Sequence, residues 1–247
     1  MLYNRYKITI EYDGTNFCGW QRQKNAMSIQ QKIEEAIYNL SQENVVVYGA
    51  GRTDAGVHAN GQVAHFDLCK YFNCNTVRNA LNFYLQNTHI SIIDCEIVDK
   101  NFHARFSALK RAYKYIIVNR VSPLALERNR AWHIKHRLDL DVMRQAAKYL
   151  IGQHDFSSFR SAACQASTPI RTIEKIKIEQ INESIFIYII APSFLHHMVR
   201  NIVGSLKLVG EYTWQAEDLH KVLCARDRAK AGPTAPACGL YFTQVVY

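Results

Sequence analysis

The stretch Val45-Val46-Val47-Tyr48-Gly49-Ala50-Gly51-Arg52-Thr53-Asp54-Ala55-Gly56-Val57-His58-Ala59 decides how this chain is read. Its β-branched opening, Val45 to Tyr48, reads as a strand. Glycine and alanine on both sides of Arg52-Thr53-Asp54 then read as a loop whose backbone a partner can approach closely. Asp54 therefore sits just past a strand end, where a sheet fixes the root of the loop and chemistry is often carried. Two readings stay open at this point. One is a Gly-rich turn whose aspartate caps its own backbone. The other is a single carboxylate kept ionised by Arg52, two residues away, and offered to an anionic ligand. An ionised carboxylate suits a nucleophile or base better than a general acid.

Outward from this loop the chain alternates strand and helix patterns. Lys7 to Tyr12 alternates strictly, placing Ile8, Ile10 and Tyr12 on one face of a strand that ends at Asp13-Gly14. Ser28, with Gln31 three residues on, reads as a capping box opening a helix with the apolar stripe Ile29, Ile33, Ala36, Ile37 and Leu40. A strand over 62–67 and a helix over 76–85 follow. A second cycle gives a strand within 108–118, a helix over 140–151 stopped by Gly152, and strands over 172–178 and 185–191 around Asn182-Glu183-Ser184. It continues with a helix capped by Ser193 and ending at Gly210, a helix over 214–225, and a closing strand over 240–247. The order divides near residue 103 into two similar halves, 1–103 and 104–247, without a residue-level repeat. A mostly antiparallel sheet with helices packed on one side, an α+β fold, accommodates this order.

Composition narrows the partner. The 247 residues carry a formal charge of +9, which points to a polyanion, nucleic acid before acidic membrane. Cations lie beside rings, as in Trp20-Gln21-Arg22-Gln23-Lys24, Phe102-His103-Ala104-Arg105-Phe106 and Lys110-Arg111-Ala112-Tyr113-Lys114-Tyr115. That interleaving suits RNA, where cations meet phosphates and rings stack on exposed bases. No apolar run nears the ~18 residues of a membrane span. Met1 to Lys7 lacks the apolar core of a signal peptide, so a cytoplasmic location is expected. Seven scattered cysteines without a Cys-x-x-Cys pair argue against a disulfide framework and a zinc site. Most of them read as small buried or half-buried thiols.

Two further constellations stand out. Arg111, Tyr113 and Tyr115 share one face of a strand, where Tyr113 reads either as a cross-strand aromatic or as a ring lying under a flat base. In Phe194 to Gly204, the residues Leu195, Met198, Val199, Ile202 and Leu206 read as a buried helix stripe, with His196, Arg200 and Gly204 on another face. A partly buried arginine calls for an acid partner, and Asp54 is the expected one. His196 and His197 project about 100° apart on a helix with no evident third ligand, so no metal is expected.

Together these motifs resemble the TruA family of tRNA pseudouridine synthases, over nearly the whole chain. The resemblance rests on Glu11-Tyr12-Asp13-Gly14, Gly19-Trp20-Gln21-Arg22-Gln23, Ala50 to His58, Phe102 to Ala108, Tyr113-Lys114-Tyr115, Asp155-Phe156-Ser157-Ser158-Phe159-Arg160, His196 to Gly204, and Ala231-Gly232-Pro233-Thr234-Ala235-Pro236 before Gly239-Leu240-Tyr241. It implies two α+β halves with a central active-site cleft, a homodimer, and tRNA as substrate. It further implies conversion of uridines at tRNA positions 38, 39 and 40, in the anticodon stem-loop, without cofactor or metal. Asp54 is similar to the family's essential aspartate, Arg200 to the basic residue paired with it, and Tyr113 to the active-site tyrosine. The same resemblance implies substrate contacts at Arg52, Val57 and His58. It implies tRNA contacts at Gln21 and Arg22, at Phe102, His103, Arg105 and Phe106, and at Lys110, Arg160 and Gln165. One departure is clear: Leu85-Gln86-Asn87-Thr88-His89-Ile90 lacks the Pro and Asp usual in the family, so a different bend is expected there. A non-catalytic tRNA binder, a synthase aimed at other positions and a base-excising glycosidase are the rivals. The last would need a second carboxylate to activate water, and none accompanies Asp54 in its motif.

Overall fold

The computed structural model describes residues 3–247; Met1 and Leu2, the start of the segment read above for a signal peptide, lie outside the described residues. Two compact units emerge, one of residues up to Leu109 together with Tyr241–Tyr247, the other Lys110–Leu240.

In the first unit, β1 (Asn4–Tyr12) buries every second residue, so that Tyr6, Ile8, Ile10 and Tyr12 enter the core. Each such side chain contributes about 1.5–3 kcal/mol. Helix α1 (Ile29–Ser41) opens at Ser28, whose hydroxyl accepts from Gln31 N. The expected box is only half formed, because the Gln31 amide goes to Glu35 instead, at 2.9 Å. Ile29, Ile33, Ala36 and Ile37 are buried as expected, while Leu40 is only half-buried. The strand expected over Val45–Tyr48 shrinks to β2 (Tyr48–Gly49). Ahead of it, Val47 N donates to the carboxylate of Glu34 on α1, at 3.1 Å, where a strand would need a sheet partner.

The remaining elements are β3 (His58–Leu68), α2 (Cys74–Leu85) and β4 (Ile90–Val98). Strand β4 escaped the sequence reading. Its inward residues are not strictly alternate, because the β1–β4 register slips between Thr9 and Ile10. Strands β1 and β3 pair antiparallel, as do β1 and β4. The bend before β4 closes without Pro or Asp. Thr88 donates both its N–H, at 2.8 Å, and its hydroxyl, at 2.7 Å, to Leu85 O. His89, at φ 59, presents its carbonyl to Asp13 N at 3.1 Å.

In the second unit, β5 (Lys110–Asn119), β6 (Trp132–Ile134), β9 (Lys175–Ile181) and β10 (Ser184–Ala191) form one sheet. Strand β10 lies antiparallel to both β5 and β9, and β6 is parallel to β5. A separate ribbon pairs β7 (Gly152–Asp155) with β8 (Ile170–Ile173). Helix α3 (Leu140–Lys148) stops short of the expected Ile151, and residues 149–151 wind into tight turns ahead of Gly152 at φ +104. Helices α4 (Met198–Gly210) and α5 (Ala216–Ala225) complete the unit. The last strand, β11 (Leu240–Val246), runs parallel to β3 through Tyr241↔His58 and Phe242↔Ala59. The class is α+β, with one parallel pair in each unit's otherwise antiparallel sheet.

All seven cysteines are free thiols. Cys95 is buried and four are half-buried, in line with the expectation for most of them, while Cys69 and Cys224 are exposed. No described helix is long and apolar enough to cross a membrane.

Candidate active site

Asp54 lies on the loop joining β2 to β3, and this loop is tied down residue by residue. Ala50 N donates to Val63 O at 2.7 Å, and Trp20 N to Thr53 O at 3.0 Å. The Gln62 amide nitrogen donates to Gly51 O at 2.8 Å. The Tyr12 and Thr53 hydroxyls share a buried hydrogen bond of 2.8 Å. Gly19 and Asp54 form an isolated antiparallel bridge, and Val57 N donates back to Asp54 O at 3.2 Å. The bridge requires glycine at position 19. Its φ is +109, and a Cβ would meet Thr53 O at 2.6 Å. Gly49 is small for another reason: the Trp20 indole occupies the space, 2.6 Å from where a Cβ would sit. Small residues thus serve the packing of the loop's root as well as access to its tip. Asp54 is half-buried and Arg52 exposed.

Val57 and His58, expected to touch substrate, are each 2% exposed. His58 Nδ1 accepts the Gly14 N–H at 3.0 Å. The Asp13 carboxylate also lies 3.2 Å from that nitrogen. The ring stacks on Tyr241 at 4.7 Å. His58 therefore fastens the turn after β1 to the start of β3.

In the second unit, Tyr113 is buried on β5 and meets the Phe194 ring edge-on at 5.1 Å. Ser193 does not cap α4. The helix begins only at Met198, after His197 in the left-handed region at φ 63. Tertiary contacts hold the preceding segment out of the helix: Phe194 packs on Tyr113, and His196 O accepts from Ser161 N at 3.0 Å. His196 thus does not share a helix face with Arg200 and Gly204. The two histidine rings, taken above as splayed, lie with centroids 4.0 Å apart. Arg200 is half-buried, and its Nε donates to Ala235 O at 2.8 Å. Gly204, one turn on, is approached by Pro233 O, 1.7 Å from where a Cβ would lie.

The expected tRNA contacts are scattered over both units. Gln21 and Arg22 are exposed, and Arg22 pairs with the buried Glu34 at 3.1 Å. Phe106 is 77% exposed and Tyr48 is 48% exposed. Both rings lie against His103, with centroids at 4.4 and 5.6 Å, over the buried His65. The Arg105 guanidinium stands over the Phe106 ring, and Phe102 packs on Tyr247 at 4.8 Å. His65 Nδ1 accepts from Ala104 N at 3.1 Å, and His103 Nδ1 from Arg105 N at 3.1 Å. Burial pushes the His65 imidazole down to about 4, with His103 and Arg5 adding to it. Burial also lowers His103. Both rings are therefore neutral near pH 7. Lys110 pairs with Glu174 at 2.6 Å. Arg160 donates to Cys164 O and Ala166 O at 2.7 and 2.9 Å, closing the loop that carries the exposed Gln165. Tyr48, Glu34, His65 and Gln62 were missed by sequence reading. Their signal was a polar or aromatic residue at an inward or sheet-edge position, which carries no meaning until its neighbours are known.

The matches to known proteins now bear on this arrangement. A family model described as tRNA pseudouridine synthase matches residues 8–107 and 146–247. The chain belongs to that family. It is 53% identical over 243 residues to tRNA pseudouridine synthase A of Rhodospirillum centenum, covering 98% of this chain and 99% of that protein. It is 51% identical over 243 residues to tRNA pseudouridine synthase A of Paramagnetospirillum magneticum, covering 98% and 95%. A solved Cbf5-Nop10-Gar1 complex aligns with 96% of this chain and 48% of its own, at TM-score 0.40 and 9% identity, a likeness too slight to bear on the fold.

Proposed function

We propose that this chain isomerises uridine to pseudouridine in tRNA, at positions 38, 39 and 40 of the anticodon stem-loop. The observation that carries the proposal is a carboxylate, Asp54, on a loop pinned at residues 50, 51, 53 and 54 in a chain of the tRNA pseudouridine synthase family. The reaction breaks the N1–C1′ bond, turns the uracil over and joins C5 to C1′. No atom is gained or lost, so neither cofactor nor metal is called for. Asp54 serves by attacking C1′ or by taking the C2′ proton. Excluding water protects the sugar intermediate, and Tyr113 is read, on the sequence match, as the active-site tyrosine. Arg200 is read, on the sequence match, as the cation balancing Asp54. His58 and Val57 are read as supports of the loop.

The target base must leave its stack, at a cost of a few kcal/mol. Arg52, Arg22, Arg105, Lys110 and Arg160 offset this through phosphate contacts, with Gln21 and Gln165 as polar contacts beside them. The ring surface of Tyr48, His103 and Phe106 offers a stacking face to an unpaired base. A homodimer acting in the cytoplasm completes the proposal. Mapping pseudouridine in tRNA from cells with and without this protein tests it. Loss of the modification at those three positions alone is expected. Asp54→Asn is expected to abolish turnover while tRNA affinity changes little, and pseudouridine formed by the pure variant would sink the assignment.

A further inference from the structure

Gln62 is fully buried on β3. Its Nε2 donates to Gly51 O at 2.8 Å, which fixes the amide's orientation, since a flip would set two oxygens face to face. In that orientation Oε1 is buried without a hydrogen-bond partner. An orphaned buried acceptor is destabilising and calls for an explanation. A methionine would fill a similar volume without this orphan, but would leave Gly51 O without its donor. Beside it, Tyr12 is 2% exposed, and its hydroxyl meets Thr53 Oγ1 at 2.8 Å. Burial drives this phenol well above its ordinary value, while contacts with Thr53 and Gln62 oppose that. The two side chains therefore grip the loop at residues 51 and 53, the second of these immediately before Asp54.

We propose that Gln62 and Tyr12 are positioning residues for Asp54, Gln62 acting through the Gly51 carbonyl and Tyr12 through the Thr53 hydroxyl. This rests on Asp54 being the group that acts on the ribose. Both side chains are too buried to touch RNA, so they act only through the loop. A misplacement of about 1 Å at a reacting atom costs up to about 100-fold in rate.

The test compares full-length wild type, Gln62→Met, Tyr12→Phe and the double variant in tRNA affinity, kcat and KM for pseudouridine formation, urea unfolding, and amide exchange over residues 50–57. Each single variant is expected to lose about 10- to 100-fold in kcat, with KM and Kd within about twofold. Gln62→Met is expected to leave the unfolding midpoint near that of wild type, since losing the bond to Gly51 O is offset by removing the orphan, while the loop amides exchange faster. The double variant should fall little below the worse single one, because both act on one loop. A merely structural role predicts the opposite pattern: a lower midpoint with kcat per folded molecule unchanged. Wild-type kcat in both single variants, or a Gln62→Met protein that does not fold, overturns the proposal. If wild type makes no pseudouridine, the proposed function fails separately. Exchange over 50–57 then decides the brace: faster in Gln62→Met supports it, unchanged overturns it.

Discussion

Replacing Gly204 with alanine tests how Arg200 is held. Inside helix α4 the change alone is favourable by about 1 kcal/mol, because alanine is the better helix former. The structure predicts the reverse sign. An added Cβ would lie 1.7 Å from Pro233 O and 2.9 Å from Pro233 C, where ordinary contact begins at 3.4 Å. The obstacle is backbone, so the 231–236 loop must retreat by about 1.7 Å, ordinary contact at 3.4 Å less the 1.7 Å to Pro233 O. That loop is tied to α4 by Ala235 N to Arg200 O at 3.1 Å and Arg200 Nε to Ala235 O at 2.8 Å. Gly232 N to Ser205 Oγ at 3.0 Å and Thr234 Oγ1 to Asn201 Oδ1 at 2.7 Å tie it further. Losing two to four such bonds, at about 0.5–1.5 kcal/mol each, costs about 2–4 kcal/mol. After the propensity gain, about 2 kcal/mol of destabilisation remains, a fall in Tm of about 4–8 °C for a chain of this size. Calorimetry on the full-length protein measures it, and turnover should fall too because Arg200 loses its backbone anchor. A Gly204→Ala protein melting at or above wild type would refute this reasoning.

Arg200→Met is expected to reduce turnover more than tRNA affinity, and a double-mutant cycle with Asp54→Asn should give a coupling energy well above about 0.5 kcal/mol; additive losses would remove the ion pair from the mechanism. Stability should also depend on pH through His65. Its folded pKa is about 4, against the ordinary 6.5, so the unfolded chain takes up the proton first. The contribution is complete above about pH 6.5 and is lost as pH falls towards about 4. The urea midpoint of wild type should drop between pH 7 and pH 5, and the slope should flatten in His65→Asn; equal slopes would show that the ring is not held neutral.

Much of the fold was legible locally because burial imposes a period. Strand β1, helices α1 and α2, and strands β5 and β10 carry unbroken alternation or helical stripes, and the structure buries those faces. Reading failed where a tertiary contact outbid a local preference. Val45–Val47 has strand composition, but its backbone is claimed by Glu34. Ser193 has the chemistry of a cap, but Phe194 and His196 are claimed by Tyr113 and Ser161. Strand β4 was hidden by a register slip.

The sequence by itself determined the family and the α+β class, and named Asp54 as the residue on which the proposed mechanism turns, because motifs and periods are local and survive without coordinates. Only the tertiary structure decided what grips Asp54. Tyr12, Trp20 and Gln62 reach residues 53, 53 and 51 across separations that no local period encodes. It also returned the final strand to the first unit, through a parallel pairing of Tyr241 with His58. The physical reason is the same in both cases. Side-chain period is written along the chain, but the partner of a backbone polar group is chosen by whatever folding brings beside it.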